Sequence, residues 1–160
     1  MKKEALKLIA TLTLTGTFAL LSAMATAHAQ SSDRITANIP FEFVVGDKRL
    51  PAGKYSVGSI SPGGTAIVVQ SADGRESALA LTHGVQAGRS QTQARLVFHR
   101  YGNRYFLTQA WAGGDNNGRE MIKSHSERAL QRELARSTSQ SEMAKNTSRP
   151  EMVTVIASLQ

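Results

Sequence analysis

The sequence predicts a mainly β fold, an antiparallel sandwich or small barrel with one late amphipathic helix and a C-terminal strand. Two observations point there, and a third bounds how the fold is held together. Turn signals recur about every ten residues between residues 40 and 118, the rhythm of short antiparallel strands. Residues 93–112 hold two runs rich in β-branched and aromatic side chains around Gly102-Asn103. Gly followed by Asn suits a two-residue type II′ turn, because glycine takes the positive φ of its first position freely. Finally, the chain has no cysteine, so its stability must come from burial; thiol chemistry and cysteine-bound zinc are excluded.

The central hairpin's register follows from its turn. Tyr101 should face Arg104, Arg100 Tyr105, His99 Phe106, Phe98 Leu107, Val97 Thr108 and Leu96 Gln109, each facing pair sharing one side of the sheet. One face then carries Ala94, Leu96, Phe98, Tyr105, Leu107 and Trp111, and the other Val97, His99, Tyr101, Phe106 and Ala110. Neither face is purely polar, which suits a strand pair inside a sandwich. Phe98, Leu107 and Trp111 are the expected core anchors, each contributing roughly 1.5–3 kcal/mol on full burial.

In chain order, residues 1–29 have the parts of a secretory signal. Lys2, Lys3 and Lys7 precede an apolar run over residues 8–24, and Ala27-His28-Ala29 offers a small-x-small cleavage pattern, with Ala25-Thr26-Ala27 as the alternative site. Cleavage after Ala29 leaves 131 residues, enough for one core, and no membrane span. The whole chain of 160 residues carries +7, and loss of the signal leaves 16 basic and 11 acidic side chains, about +5. That charge suits adhesion to anionic surfaces. A periplasmic or secreted location follows.

Residues 30–136 read as the β domain ending in a helix. Residues 34–39 form a first strand, stopped by Pro40, and Phe41, Phe43 and Val45 alternate onto one buried face before a turn at Gly46-Asp47-Lys48. Pro51-Ala52-Gly53 marks another turn, and residues 54–57 leave it as a strand. Ser61-Pro62-Gly63-Gly64 breaks the chain again; residues 65–70 and 76–82 then pair around Ser71-Ala72-Asp73-Gly74. Residues 84–92 are polar and read as a loop. After the central hairpin, residues 113–118 form a turn and 119–123 a short strand. Ser124-His125-Ser126-Glu127 matches a capping box, in which the Ser124 hydroxyl takes the Glu127 N–H and the Glu127 side chain reaches back. The helix should run to about Arg136, with Ala129, Leu130 and Leu134 as a narrow apolar stripe laid on the β body. Residues 137–150 read as a polar tether, and residues 151–160 as a strand returning to the sheet.

Residues 40–46 (PFEFVVG), 50–55 (LPAGKY) and 96–102 (LVFHRYG), with the helix over residues 127–135, resemble segments of an uncharacterised family of small exported bacterial β-domain proteins with a C-terminal helix. The likeness covers most of the mature chain. It implies a β domain followed by a late helix and brings no catalytic residues with it.

Motifs for chemistry are sparse. His83, His99 and His125 lack His-x-His or HExxH spacing, so no metal is expected and no cofactor is implied. Residues 113–118 have the oxygen-rich look of a calcium loop, but only Asp115 is charged, and Asn and Gly there are what a plain turn prefers. Gly-x-Ser-x-Gly is absent, and pairing of Glu42, Asp73, Glu76 or Glu120 for hydrolysis is a matter of distance in space. No catalytic residue is assigned. The positive signal is basic and aromatic interleaving. Arg100, Tyr101, Arg104 and Tyr105 crowd the hairpin tip, and Arg128, Arg132 and Arg136 recur at helical spacing. Plain solvation of a strand edge and a helix face explains the same residues. The expectation is therefore an exported, non-catalytic binding or envelope-associated module, with an anionic envelope component or polysaccharide as partner ahead of nucleic acid. A hydrolase assembled from distant residues, or a polyanion-binding module using the two basic clusters, is the alternative.

Overall fold

Eleven strands and one helix organise the residues that the computed structural model of the chain describes, 34–61, 63–138 and 150–159. They are β1 (Ile35–Ile39), β2 (Phe43–Val45), β3 (Lys48–Leu50), β4 (Gly53–Ser59), β5 (Ala66–Ser71), β6 (Ser77–Gln86), β7 (Arg95–Tyr101), β8 (Arg104–Trp111), β9 (Asn117–Met121), α1 (His125–Thr138), β10 (Glu151–Ile156) and β11 (Ser158–Leu159). The mainly β fold with one helix is the class the sequence predicts. The signal over residues 1–29 and most of the tether lie outside the described residues; Ser137 and Thr138, expected in the tether, are the last residues of α1.

The strands run in the order β10-β7-β8-β9-β6-β5-β4-β1-β11, with β2 joined to β3 and, through a parallel bridge of Val44 to Phe106, to β8. Two features fold this sheet into a sandwich. β6 pairs β5 through its first half and β9 through its second, so one long strand passes from one half-sheet to the other. That pairing carries the strand to Gln86, into residues expected to be a loop. At the other end β10 pairs β7 while β11, one residue later, pairs β1, so a continuous segment holds both ends of the path.

Inward side chains of both halves meet in one core that includes Ile39, Phe43, Val45, Leu50, Tyr55, Val57, Val69, Leu96 and Phe98. Tyr55 of β4 meets the Phe43 ring edge-on at 5.0 Å, Phe43 meets Phe98 at 5.6 Å, Phe98 meets Phe41 at 5.2 Å, and Phe41 stacks on Tyr105 at 3.9 Å. The rings thus form a line from one half-sheet to the other.

In the central hairpin, Gly102 has φ +60° and among the described residues only glycines have positive φ, so Asn103 does not, as a type II′ turn requires. The expected pairing holds from Tyr101↔Arg104 to Phe98↔Leu107. Beyond it the register shifts: Val97 faces Gln109, Leu96 faces Ala110 and Arg95 faces Trp111. Thr108 is the extra residue of a β-bulge, and its buried hydroxyl donates to the Val97 carbonyl at 3.0 Å. One added residue reverses side-chain parity, so Ala110, not Trp111, points into the core. Trp111 is still buried, but on the outer face, where Arg95 lies 5.5 Å from its ring and its N–H donates to Gln109 Oε1 at 3.0 Å. Gly118 faces it across the ladder. A methyl on Gly118 would sit 2.5 Å from Trp111 Cε3, so Gly118→Ala should displace the indole and cost about 2 kcal/mol of stability. A shifted tryptophan emission maximum with a lower urea midpoint checks this.

Candidate functional site

Helix α1 begins as its sequence suggests: the Glu127 N–H donates to Ser124 Oγ at 3.1 Å. The other half of the capping box is not made. The Glu127 side chain is only 3% exposed and turns onto the outer face of β7. There its Oε1 lies 2.9 Å from His99 Nδ1, which donates to the carboxylate, and accepts the Tyr101 hydroxyl at 3.2 Å. Gln131, one turn on, donates its amide to the same Tyr101 oxygen. One residue before Glu127, Ser126 donates both its N–H and its hydroxyl to Asp47 at 3.0 Å. The Ser126 N–H, helped by its hydroxyl, holds the Asp47 carboxyl below the usual range. Two carboxylates thus clasp the helix to the sheet, while Leu130 and Leu134 are half-buried and Ala129 is exposed.

Chemically this cluster is a clasp. Among the described residues no hydroxyl or amine nucleophile hydrogen-bonds to the His99 ring, so the His–Glu pair lacks the third member of a nucleophilic triad. Burial, then the adjacent Glu127 charge, pushes the Tyr101 phenol up to about 12. Because the folded value lies above the ordinary one, this contribution to stability is complete below pH 10 and is lost as pH rises through about 12. The phenolate absorbance of Tyr101 should therefore appear together with loss of the folded state's circular dichroism; ionisation near pH 10 with the fold intact would contradict the clasp.

Strand alternation splits the basic and aromatic residues of the hairpin tip between two faces. Tyr101 is buried against α1. Arg100 lies on the opposite face with Tyr105, 5.6 Å from its ring; it donates to the Gly102 carbonyl at 2.8 Å and pairs with Glu151 at 3.2 Å. Tyr105 is stacked on Phe41, and Arg104 alone of the four is exposed. Arg128, Arg132 and Arg136 are exposed on the side of α1 away from Glu127, with Arg132 Nε donating to the Arg128 carbonyl at 3.3 Å. The structure does not join these seven residues into one groove.

A different surface does gather polar groups. On the outer face of the half-sheet formed by β11, β1, β4, β5 and β6, the pairings Ser158↔Thr36, Thr36↔Ser56, Ser56↔Gln70 and Gln70↔Ser77 align hydroxyls and amides in one row. Four strand intervals make it about 19 Å long. One row to one side Lys54 faces Asn38; to the other, Arg34 lies over β4 where Gly58 has no side chain, its Nε 3.8 Å from the place a Cβ would take. Arg34, Thr36, Lys54, Ser56 and Gln70 line a cavity of about 340 Å³. The Thr36 hydroxyl is buried in it with no hydrogen-bond partner, an unmet polar group of the sort a ligand satisfies.

Comparison with protein families, with curated proteins and with solved structures finds no match for the chain. The residues of the chain itself therefore carry the functional reading. Among the described residues no three of His, Asp and Glu gather as a metal site. Asp115, the acid of the oxygen-rich turn, is occupied by donors from Asn116 and Asn117 at 2.6–3.2 Å, and the Asn117 amide first, then these backbone N–H groups, hold its carboxyl below the usual range. Nor is any described helix long and apolar enough to cross a membrane.

Proposed function

We propose that the protein is an exported, non-catalytic β module that works by holding to an anionic component of the cell envelope, and that it belongs with the uncharacterised exported β-domain proteins its segments resemble. The supporting observation is an imbalance in how charge is used. Eight carboxylates among the described residues are engaged within the fold: Glu42 with Arg49, Asp47 with Ser126, Asp73 with Ser71 and Arg75, Glu76 with Lys48, Glu120 with Gln109, Glu151 with Arg100, Asp115 with Asn117, and Glu127 with His99. Arg34, Lys54, Arg89, Arg104 and Arg128 are exposed, and no side-chain hydrogen bond or ion pair to another described residue engages them. These five cations of the described surface thus meet solvent unpaired.

Fractionation of cells making the full chain tests this reading. The chain should appear outside the cytoplasm, shortened by the mass of residues 1–29. It should sediment with the envelope at low salt and be released at high salt, as screening predicts. A full-length cytoplasmic chain, or attachment indifferent to salt, would overturn it.

A further inference from the structure

The outer face that carries the hydroxyl row does not stay polar. Two residues further along the strands, Gly58, Val68 and Leu79 lie side by side, and beyond them Ala66 faces Leu81. Leu79 is 55% exposed and Leu81 59%. Ile60, whose N–H donates to the Ala66 carbonyl, and Ile122, whose N–H donates to the Leu81 carbonyl, add two more exposed aliphatic side chains at the same end. Side chains of this size are normally scattered singly on a soluble surface; grouped beside a cationic cavity they mark an interaction face.

We propose that this face docks on an anionic phospholipid surface, with Leu79, Leu81 and Ile60 entering the acyl boundary and the cavity between Arg34 and Lys54 receiving a headgroup phosphate. The inference rests on the reading of an exported envelope-binding module and names its partner and its face. Three observations converge on a lipid. Aliphatic and cationic groups share one sheet face, the arrangement by which proteins lie in a membrane interface. Ser56 and Gln70, which line the cavity, offer hydrogen bonds to phosphate oxygens. Among the described residues the acids beside the cavity, Asp73 and Glu76, are paired with Arg75 at 3.6 Å and Lys48 at 2.9 Å, so they oppose an anion weakly. An acidic saccharide would use the cations and hydroxyls but leave the aliphatic end without a role. A single-stranded nucleic acid would need stacking platforms, whereas the Tyr55 ring, the aromatic ring beside the cavity, is buried.

The test is sedimentation of the exported form, recovered from cells, with vesicles of phosphatidylcholine mixed with phosphatidylglycerol or of phosphatidylcholine alone. Binding should need the anionic lipid and fall as salt rises. Arg34→Ala with Lys54→Ala should weaken it about 30-fold, and Leu79→Ser with Leu81→Ser about tenfold. Arg132→Ala should change it less than about twofold, because that cation lies on α1, which packs on the outer face of β7. All four replaced side chains on the docking face are exposed, and an unchanged urea midpoint verifies the fold of each variant. Vesicle binding indifferent to both pairs on this face, or equal binding to phosphatidylcholine alone, would overturn the inference. So would binding of soluble oligogalacturonate without vesicle binding, which would assign the cavity to a saccharide. Salt-sensitive envelope attachment that persists without vesicle binding would defeat the lipid inference and leave the envelope-binding reading standing.

Discussion

Phe98→Ala should lower the unfolding free energy by about 4 kcal/mol, the largest effect expected from one core substitution here. The Phe98 ring is fully buried, faces Leu107 on one neighbouring strand and Val153 on the other, and meets Phe41 and Phe43 edge-on. Its loss removes the transfer free energy of a large side chain and leaves a gap that neighbours on two half-sheets cannot close without shifting. It also breaks the line of rings joining Tyr55 to Tyr105. Since a domain of this size has roughly 5–15 kcal/mol in total, the variant should unfold at a much lower urea concentration. Trp111, the chain's one tryptophan, reports that transition. A loss under about 1 kcal/mol would mean that the ring is not the hub of the core.

Glu127→Ala should cost about 3 kcal/mol and act first on α1. Its carboxylate is the acceptor for both His99 and Tyr101, so truncation leaves two donors facing a space too dry to hydrate them well. The helix has little else beneath it: Leu130 and Leu134 are half-buried, and Asp47 grips only the first turn. Glu127→Gln, which keeps the size and one acceptor oxygen, should cost clearly less. Faster amide exchange along α1 and a lower urea midpoint in the alanine variant are the expected outcomes. An unchanged midpoint would show that α1 is held by apolar contact alone.

Much of this architecture is visible in local sequence, and the failures share a cause. Gly102-Asn103 sets a turn by backbone sterics alone, so the hairpin and its first four pairings follow. The bulge does not, because Thr108 is as good a strand residue as Gln109, and its reason for standing out of register is a hydrogen bond to Val97 across the ladder. From that one residue follows the exchange of Ala110 and Trp111 between faces. Ser124 as the helix cap is a local property and is legible; the destination of the Glu127 side chain is not, because His99 and Tyr101 lie 28 and 26 residues away. The crowding of Arg100, Tyr101, Arg104 and Tyr105 reflects proximity along the chain, whereas strand alternation sends neighbours to opposite faces. Thr36, Ser56 and Gln70 are unremarkable polar positions until β1, β4 and β5 lie side by side, an order that no turn signal encodes.

The central claim is that binding belongs to the outer face of the β1-β4-β5-β6 half-sheet. Mapping backbone amide shifts of the chain recovered from cells as it is titrated with phosphatidylglycerol-containing bicelles tests it most directly. The largest changes should fall on Thr36, Ser56, Gln70, Leu79 and Leu81. Changes centred instead on Arg104 at the hairpin tip and on Arg128 and Arg132 of the helix would contradict it.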